Sequence, residues 1–137
     1  MMPSNLDFLL RYSVQEKNIK AQNIILKTLD KMAYGGIFDH VEGGFSRYST
    51  DEKWHIPHFE KMLYDNGQLM SLYSKGYKIS NKRLYKKIVY KIHEYIHSEM
   101  KDNTGGFYSS LDADSKINDS TYIEGAYYSW EFSELQN

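Results

Sequence analysis

The sequence predicts an all-α fold built from helical hairpins, with a short β-hairpin near the C-terminal end. Three observations carry that expectation. Apolar residues recur at helical spacing through most of the chain. A Gly-Gly-aromatic loop occurs twice, at Gly43-Gly44-Phe45 and at Gly105-Gly106-Phe107, which suggests a hairpin repeat. Only "TYIEGAYYSW" alternates in the manner of a strand.

Taken in order, "PSNLDFLLRYS" predicts a short helix capped near Ser4 and carrying Leu6, Leu9 and Leu10. In the next segment Ile19, Ile25, Leu26, Leu29, Met32 and Ala33 form one stripe, which Gly35 and Gly36 end. Residues 35 to 56 read as a long structured loop. Pro57 then opens a helix at its first turn, running to about Ile79. Ser80-Asn81 caps a further amphipathic helix with Leu84, Ile88, Ile92, Tyr95 and Ile96 inward, closed by "DNTGG". "EFSELQN" reads as the first turn of one more helix. A few hairpins do not cover their own apolar faces, so the expectation is a piece of something larger or a self-associating chain.

Composition narrows the function classes. The 137 residues suit one domain, with 41% hydrophobic and 26% charged residues. A net charge of −1 gives no electrostatic reason for nucleic acid or an anionic membrane as partner. No apolar run approaches the ~20 residues of a membrane span, and the first residues carry no signal-peptide pattern. The absence of cysteine removes thiol chemistry and thiolate metal sites from this chain, and suits a reducing, cytoplasmic setting. Thirteen tyrosines contribute to 15% aromatic residues; they either fill an interlayer core or line a small-molecule cleft.

Polar residues then interrupt the apolar pattern. On a wheel begun at Pro57, Asn66 falls amid Phe59, Met62, Leu63, Leu69, Met70, Leu72, Tyr73 and Tyr77, with His58 and Asp65 at one edge. Glu60, Lys61, Gln68 and Lys75 fall outside. Asp65 and Asn66 either bind the Gly-rich loops as a structural network or face a ligand cleft. Asp39, His40, Arg47, Tyr48 and Trp54 crowd the long loop, where Arg47 either clamps a hydroxylated or anionic ligand or pairs with Asp39. Asp112 and Asp114 converge only if "LDADS" turns, and an Asx-type turn is the alternative use of them. The spacing lacks the glycine and terminal Glu of a calcium-binding EF-hand loop. "HEYIH", His93 to His97, matches the H-E-x-x-H zinc pattern, but Glu94 points toward solvent and no third ligand follows. It reads as a surface pair, and no metal is expected.

The strings "GGIFDHVEGGFSRYSTDEKWHIPHFEKMLYDN", "GGFYSSLDADS" and "EGAYYSW" resemble the YyaL-type family, which includes the spermatogenesis-associated proteins with a thioredoxin-like domain. The resemblance spans nearly the whole chain. It implies an (α/α)6 toroid of six helical hairpins, similar to those of N-acylglucosamine 2-epimerase, cellobiose epimerase and six-hairpin glycosidases. Residues 1 to 137 would form an incomplete section of it, without the thioredoxin-like domain or its Cys-containing motif. It further implies a carbohydrate-related cleft, epimerase- or isomerase-like, or glycosidase-like. Carried onto this chain, His58 would be the general acid/base, assisted by Asp65 or Asp112, with Asp112 and Asp114 as a hydrolytic pair. Asp39, His40, Arg47, Tyr48, Trp54, Asn66, Glu124 and Trp130 would hold substrate, alongside Glu60 and Lys61. No cofactor is implied. The alternative is a non-catalytic interaction module serving a thioredoxin-like domain or a second copy of the chain.

Overall fold

A computed structural model describes residues 2–136. Four helices form its body: α1 (Pro3–Gln15), α2 (Ile19–Tyr34), α3 (Leu63–Ser80) and α4 (Arg83–Glu99). Four short strands accompany them. β1 (Lys61–Met62) pairs antiparallel with β2 (Ser110–Leu111), and β3 (Asp114–Asn118) with β4 (Thr121–Glu124). The expected all-α toroid is therefore corrected. The chain is 52% helical with two small antiparallel sheets, a mixed α and β arrangement.

Local chemistry sets the helix ends. Asn18 caps α2, its side-chain oxygen accepting the Ala21 N–H at 3.0 Å. Ser4 does not cap α1; Pro3 stands in its first turn and Met2 precedes it without a side-chain cap. Ser80-Asn81 ends α3 instead of starting α4. The Ser80 hydroxyl donates to the Gly76 carbonyl at 2.8 Å, and Asn81 takes the left-handed conformation, φ 54°, that terminates helices. The expected last helix is a single 3-10 turn, Glu134–Gln136.

The larger correction concerns residues 57 to 62. They form no helix, and α3 begins at Leu63. The backbone of this stretch is spent on the loop before it. Arg47 N–H donates to Glu60 at 2.8 Å, His58 N–H to Tyr48 at 3.1 Å, and Thr50 N–H to Ile56 at 2.8 Å. Phe59, at φ 67°, breaks any helical run. Pro57 thus sits in a bridge opposite Ser49, a place that tolerates a residue without an N–H.

The core lies among α2, α3 and α4. Leu29, Met32, Leu69, Leu72, Tyr73, Tyr85, Ile88, Ile92 and Tyr95 are all within 2% of full burial. Each such side chain contributes on the order of 1.5–3 kcal/mol by leaving water. Two core tyrosines satisfy their hydroxyls on α2: Tyr73 donates to the Leu29 carbonyl at 2.8 Å, and Tyr85 to that of Leu26 at 2.8 Å. The 35–46 loop joins this core through Ile37, Phe38 and Phe45. Asn66 anchors it. Its side-chain oxygen accepts the Phe45 N–H at 2.7 Å, and its amide nitrogen donates to the Phe45 and Met62 carbonyls at 3.1 and 3.0 Å.

Asn66→Ala leaves the buried Phe45 N–H and carbonyl without these partners. The expected loss is about 2–3 kcal/mol in urea unfolding, against less than ~0.5 kcal/mol for Gln68→Ala at an exposed position of the same helix.

Candidate functional site

The site is built outward from Lys61. Its side chain is 1% exposed, and its ammonium donates to Asp39 Oδ2 at 2.8 Å and to the Gly43 carbonyl at 3.0 Å. Its remaining side faces the rings of Tyr95 and Tyr128, with centroids at 4.5 and 4.8 Å. Asp39 is equally committed. Its Oδ1 accepts the N–H groups of Val41 and Glu42 at 2.9 and 3.1 Å, closing the turn that leads to Gly43-Gly44. Gly44 has φ 79°, and a Cβ there would meet the Tyr95 ring at 2.5 Å. Only glycine fits both demands.

The segment after β4 crosses this cluster as a strap. Gly125, also at positive φ, lies against the Phe59 ring. Tyr128 stacks on Phe59 with centroids 5.5 Å apart. The Tyr127 hydroxyl donates to Glu42 at 2.5 Å. Between strap and loop opens a cavity of about 580 Å³. Phe38, Val41, Phe59, Tyr127, Tyr128 and Trp130 supply its apolar walls, while Asp39, His40, Glu42, His55 and Lys61 supply its polar groups.

Charge at the site follows from burial and pairing. Burial works against ionisation of Asp39, but the Lys61 ammonium and the Val41 and Glu42 N–H groups prevail and hold its carboxyl below the usual range. The hydrogen bond to Glu42 pushes the Tyr127 hydroxyl up to about 12, and burial pushes that of Tyr128 to about 12.

Of the sequence-derived site residues, the cavity gathers Asp39, His40 and Trp130, together with Lys61. The others lie elsewhere. His58 pairs with Glu124 at 3.0 Å and stacks on Tyr48 at 4.5 Å. Arg47 pairs with Glu60 at 3.0 Å, not with Asp39. Trp54, at φ 64°, packs on the core and its carbonyl accepts the Gly36 N–H at 2.6 Å. Asn66 is committed to the loop backbone. Asp65 is buried in the first turn of α3, where burial raises its carboxyl above the usual range against the pull of nearby positive charge. Asp112 borders a second, smaller cavity and accepts the Asp114 N–H at 3.3 Å, an Asx-type turn. Asp114 is exposed at the start of β3. His58, Asp65, Asp112 and Asp114 are thus not brought together around one hollow.

His93 and His97 stack at the surface with ring centroids 4.1 Å apart. Among the described residues no group of three His, Asp or Glu side chains could hold a metal ion, and no helix is long and apolar enough to cross a membrane. The helical wheel points Lys61 outward and sets Phe59 among the core-facing residues, and Glu42, Tyr127 and Tyr128, all wall residues, are not among the candidates the sequence suggests. The dense aromatic run after Gly125, "AYYSW", was the available signal.

Fold and site together define a mixed α and β arrangement in which a Gly-rich loop and an aromatic strap enclose a cleft. No protein-family model matches the chain. It is 45% identical to mouse spermatogenesis-associated protein 20 over 98% of its own length, and 44% identical to the human protein of that name over the same share. An uncharacterised Caenorhabditis elegans protein is 42% identical over 96% of the chain. Over nearly its whole length the chain is therefore similar to a stretch of spermatogenesis-associated protein 20. The chain spans about a fifth of the length of the curated relatives it matches, 18% of the mammalian proteins and 19% of the worm one.

Asp39 predicts a specific acid response. Its folded value lies below the unfolded one, so its contribution to stability is complete above the unfolded value and is lost as pH falls through the folded value. Unfolding free energy measured against pH is expected to drop below about pH 4, with a shallower acid limb in Asp39→Asn.

Proposed function

We propose that the larger cavity binds a polyhydroxylated, sugar-type ligand. The observation that carries this reading is the pairing of wall types. The exposed Trp130 ring and the stacked Tyr128–Phe59 pair stand beside charged and imidazole groups in one open cavity of about 580 Å³. Sugars present apolar ring faces to aromatics and hydroxyls to such polar groups, and the size falls within the range of small-molecule sites. With Asp39, Glu42 and Lys61 at the wall, and histidines neutral, the formal charge is negative by one. A neutral sugar is therefore favoured over an acidic one.

Binding, not proton transfer, is the contribution proposed for this chain. His58, Asp65, Asp112 and Asp114 occupy separate places, and a general base must lie within hydrogen-bond reach of its proton. Epimerase- or glycosidase-like chemistry would thus draw on groups supplied by the rest of a longer protein.

A second reading, an interaction module, is favoured by a different observation. Phe8 and Tyr12 on α1, and Ile19, Ile24 and Tyr34 on α2, are 47–72% exposed. A thioredoxin-like domain or a second copy of the chain would cover them, and concentration-dependent mass in light scattering tests the second copy.

Neutral hexoses are expected to raise the melting temperature of this chain, and a uronic acid to do so less. Trp130→Ala, at an exposed site, is expected to weaken hexose binding about tenfold, or ~1.4 kcal/mol, without lowering the ligand-free melting temperature. No stabilisation by any neutral hexose, or equal binding by Trp130→Ala, would count against the sugar reading.

A further inference from the structure

A hollow of about 370 Å³ opens in the seam where α1 meets α3, and it shares no lining residue with either cavity described above. Its apolar surface comes from Leu10 and Val14 on α1 and from Ile79 on α3. Leu10 is buried, whereas Val14 is 49% exposed. Gln15 and three cations, Arg11, Lys75 and Lys78, complete the lining, which holds no carboxylate. The whole chain carries a net charge of −1, so this positive charge is a local concentration. Asp7, outside the lining, meets two of the cations: its Oδ2 pairs with Arg11 at 2.7 Å and its Oδ1 with Lys75 at 2.6 Å. Lys78 has no ion-pair partner among the described residues. Three cations against one carboxylate leave the seam with a formal excess of two positive charges.

We propose that this seam binds a free alkyl carboxylate, an apolar chain ending in an ionised acid. Its tail lies on Leu10, Val14 and Ile79. Its head pairs with Lys78, and Arg11 and Lys75 add attraction from beside it. Charge complementarity and wall chemistry choose this occupant together. A bare anion gains nothing from the apolar surface, and an alkylammonium of the same length meets three like charges. A hollow of this size, mainly apolar with a few charged groups, suits a small molecule. The site stands independently of the sugar reading, because none of its residues lines the larger cavity.

The test is an NMR titration of this chain with sodium octanoate, sodium butyrate and octylammonium chloride at fixed ionic strength. Octanoate is expected to shift the amides of residues 10–15 and 75–79 saturably. It is expected to bind roughly tenfold more tightly than butyrate, whose shorter tail buries less, and roughly tenfold more tightly than octylammonium, which the cations repel. Lys78→Met, at an exposed position, keeps an apolar side chain and removes the charge. It is expected to weaken octanoate roughly fivefold, while Lys78→Arg retains the binding. Absence of saturable octanoate shifts at these residues, equal binding by octylammonium, or octanoate binding unchanged in Lys78→Met would overturn the proposal.

Discussion

One buried ion pair organises this molecule. Lys61 enters the interior from the strand before α3, and Asp39 meets it from the loop after α2. Leaving water costs each ion several kcal/mol. That cost is offset by geometry: three backbone groups of the loop and two tyrosine rings share the two charges between them. The arrangement cannot slide. Moving Lys61 by one residue along an extended segment would turn its side chain to the opposite face, leaving Asp39 and the Gly43 carbonyl without it.

The cavity inherits its shape from that pair. Lys61 and Asp39 fix the 39–44 turn, which sets Glu42 where Tyr127 reaches it and sets Gly44 flat against Tyr95. The strap, in turn, lies on Phe59, a left-handed residue in the non-helical stretch 57 to 62. Asn66 does for Phe45 what Lys61 does for Gly43: a buried polar side chain from the α3 region holds loop backbone that would otherwise be unsatisfied. Asn66, which interrupts the apolar side of α3, is a loop anchor, and the loop it holds forms one wall of the cleft.

The helices were legible because their signals are local. The stripe from Ile19 to Ala33 is buried from Ile25 onward, with Ile19 itself 61% exposed, and that from Leu84 to Ile96 is buried from Ile88 onward. The start of α3 was misread for a definite reason. Pro57 suits both a helix's first turn and an extended edge, and the deciding force was pairing with Tyr48, Ser49 and Thr50 across the loop. Propensity yields to tertiary hydrogen bonds in such segments. That one error moved Lys61 from an imagined outer face to the interior, and placed His58 beside Asp65 when it in fact pairs with Glu124. Asp39, His40 and Trp130 line the larger cavity, whereas the aromatic run that holds Tyr127 and Tyr128 does not by itself reveal the long-range contact with Glu42 and Phe59 that makes them wall residues.

The most direct test of this account is a double-mutant cycle on Asp39 and Lys61, with Asp39→Asn, Lys61→Met and the combined variant unfolded in urea. If the pair organises the loop, each single change leaves a buried partner stranded and costs about 3–5 kcal/mol. The combined change then costs well under the sum, with a coupling of at least ~2 kcal/mol. Additivity within ~0.5 kcal/mol would show that the two charges act separately, and would contradict the central role given to them here.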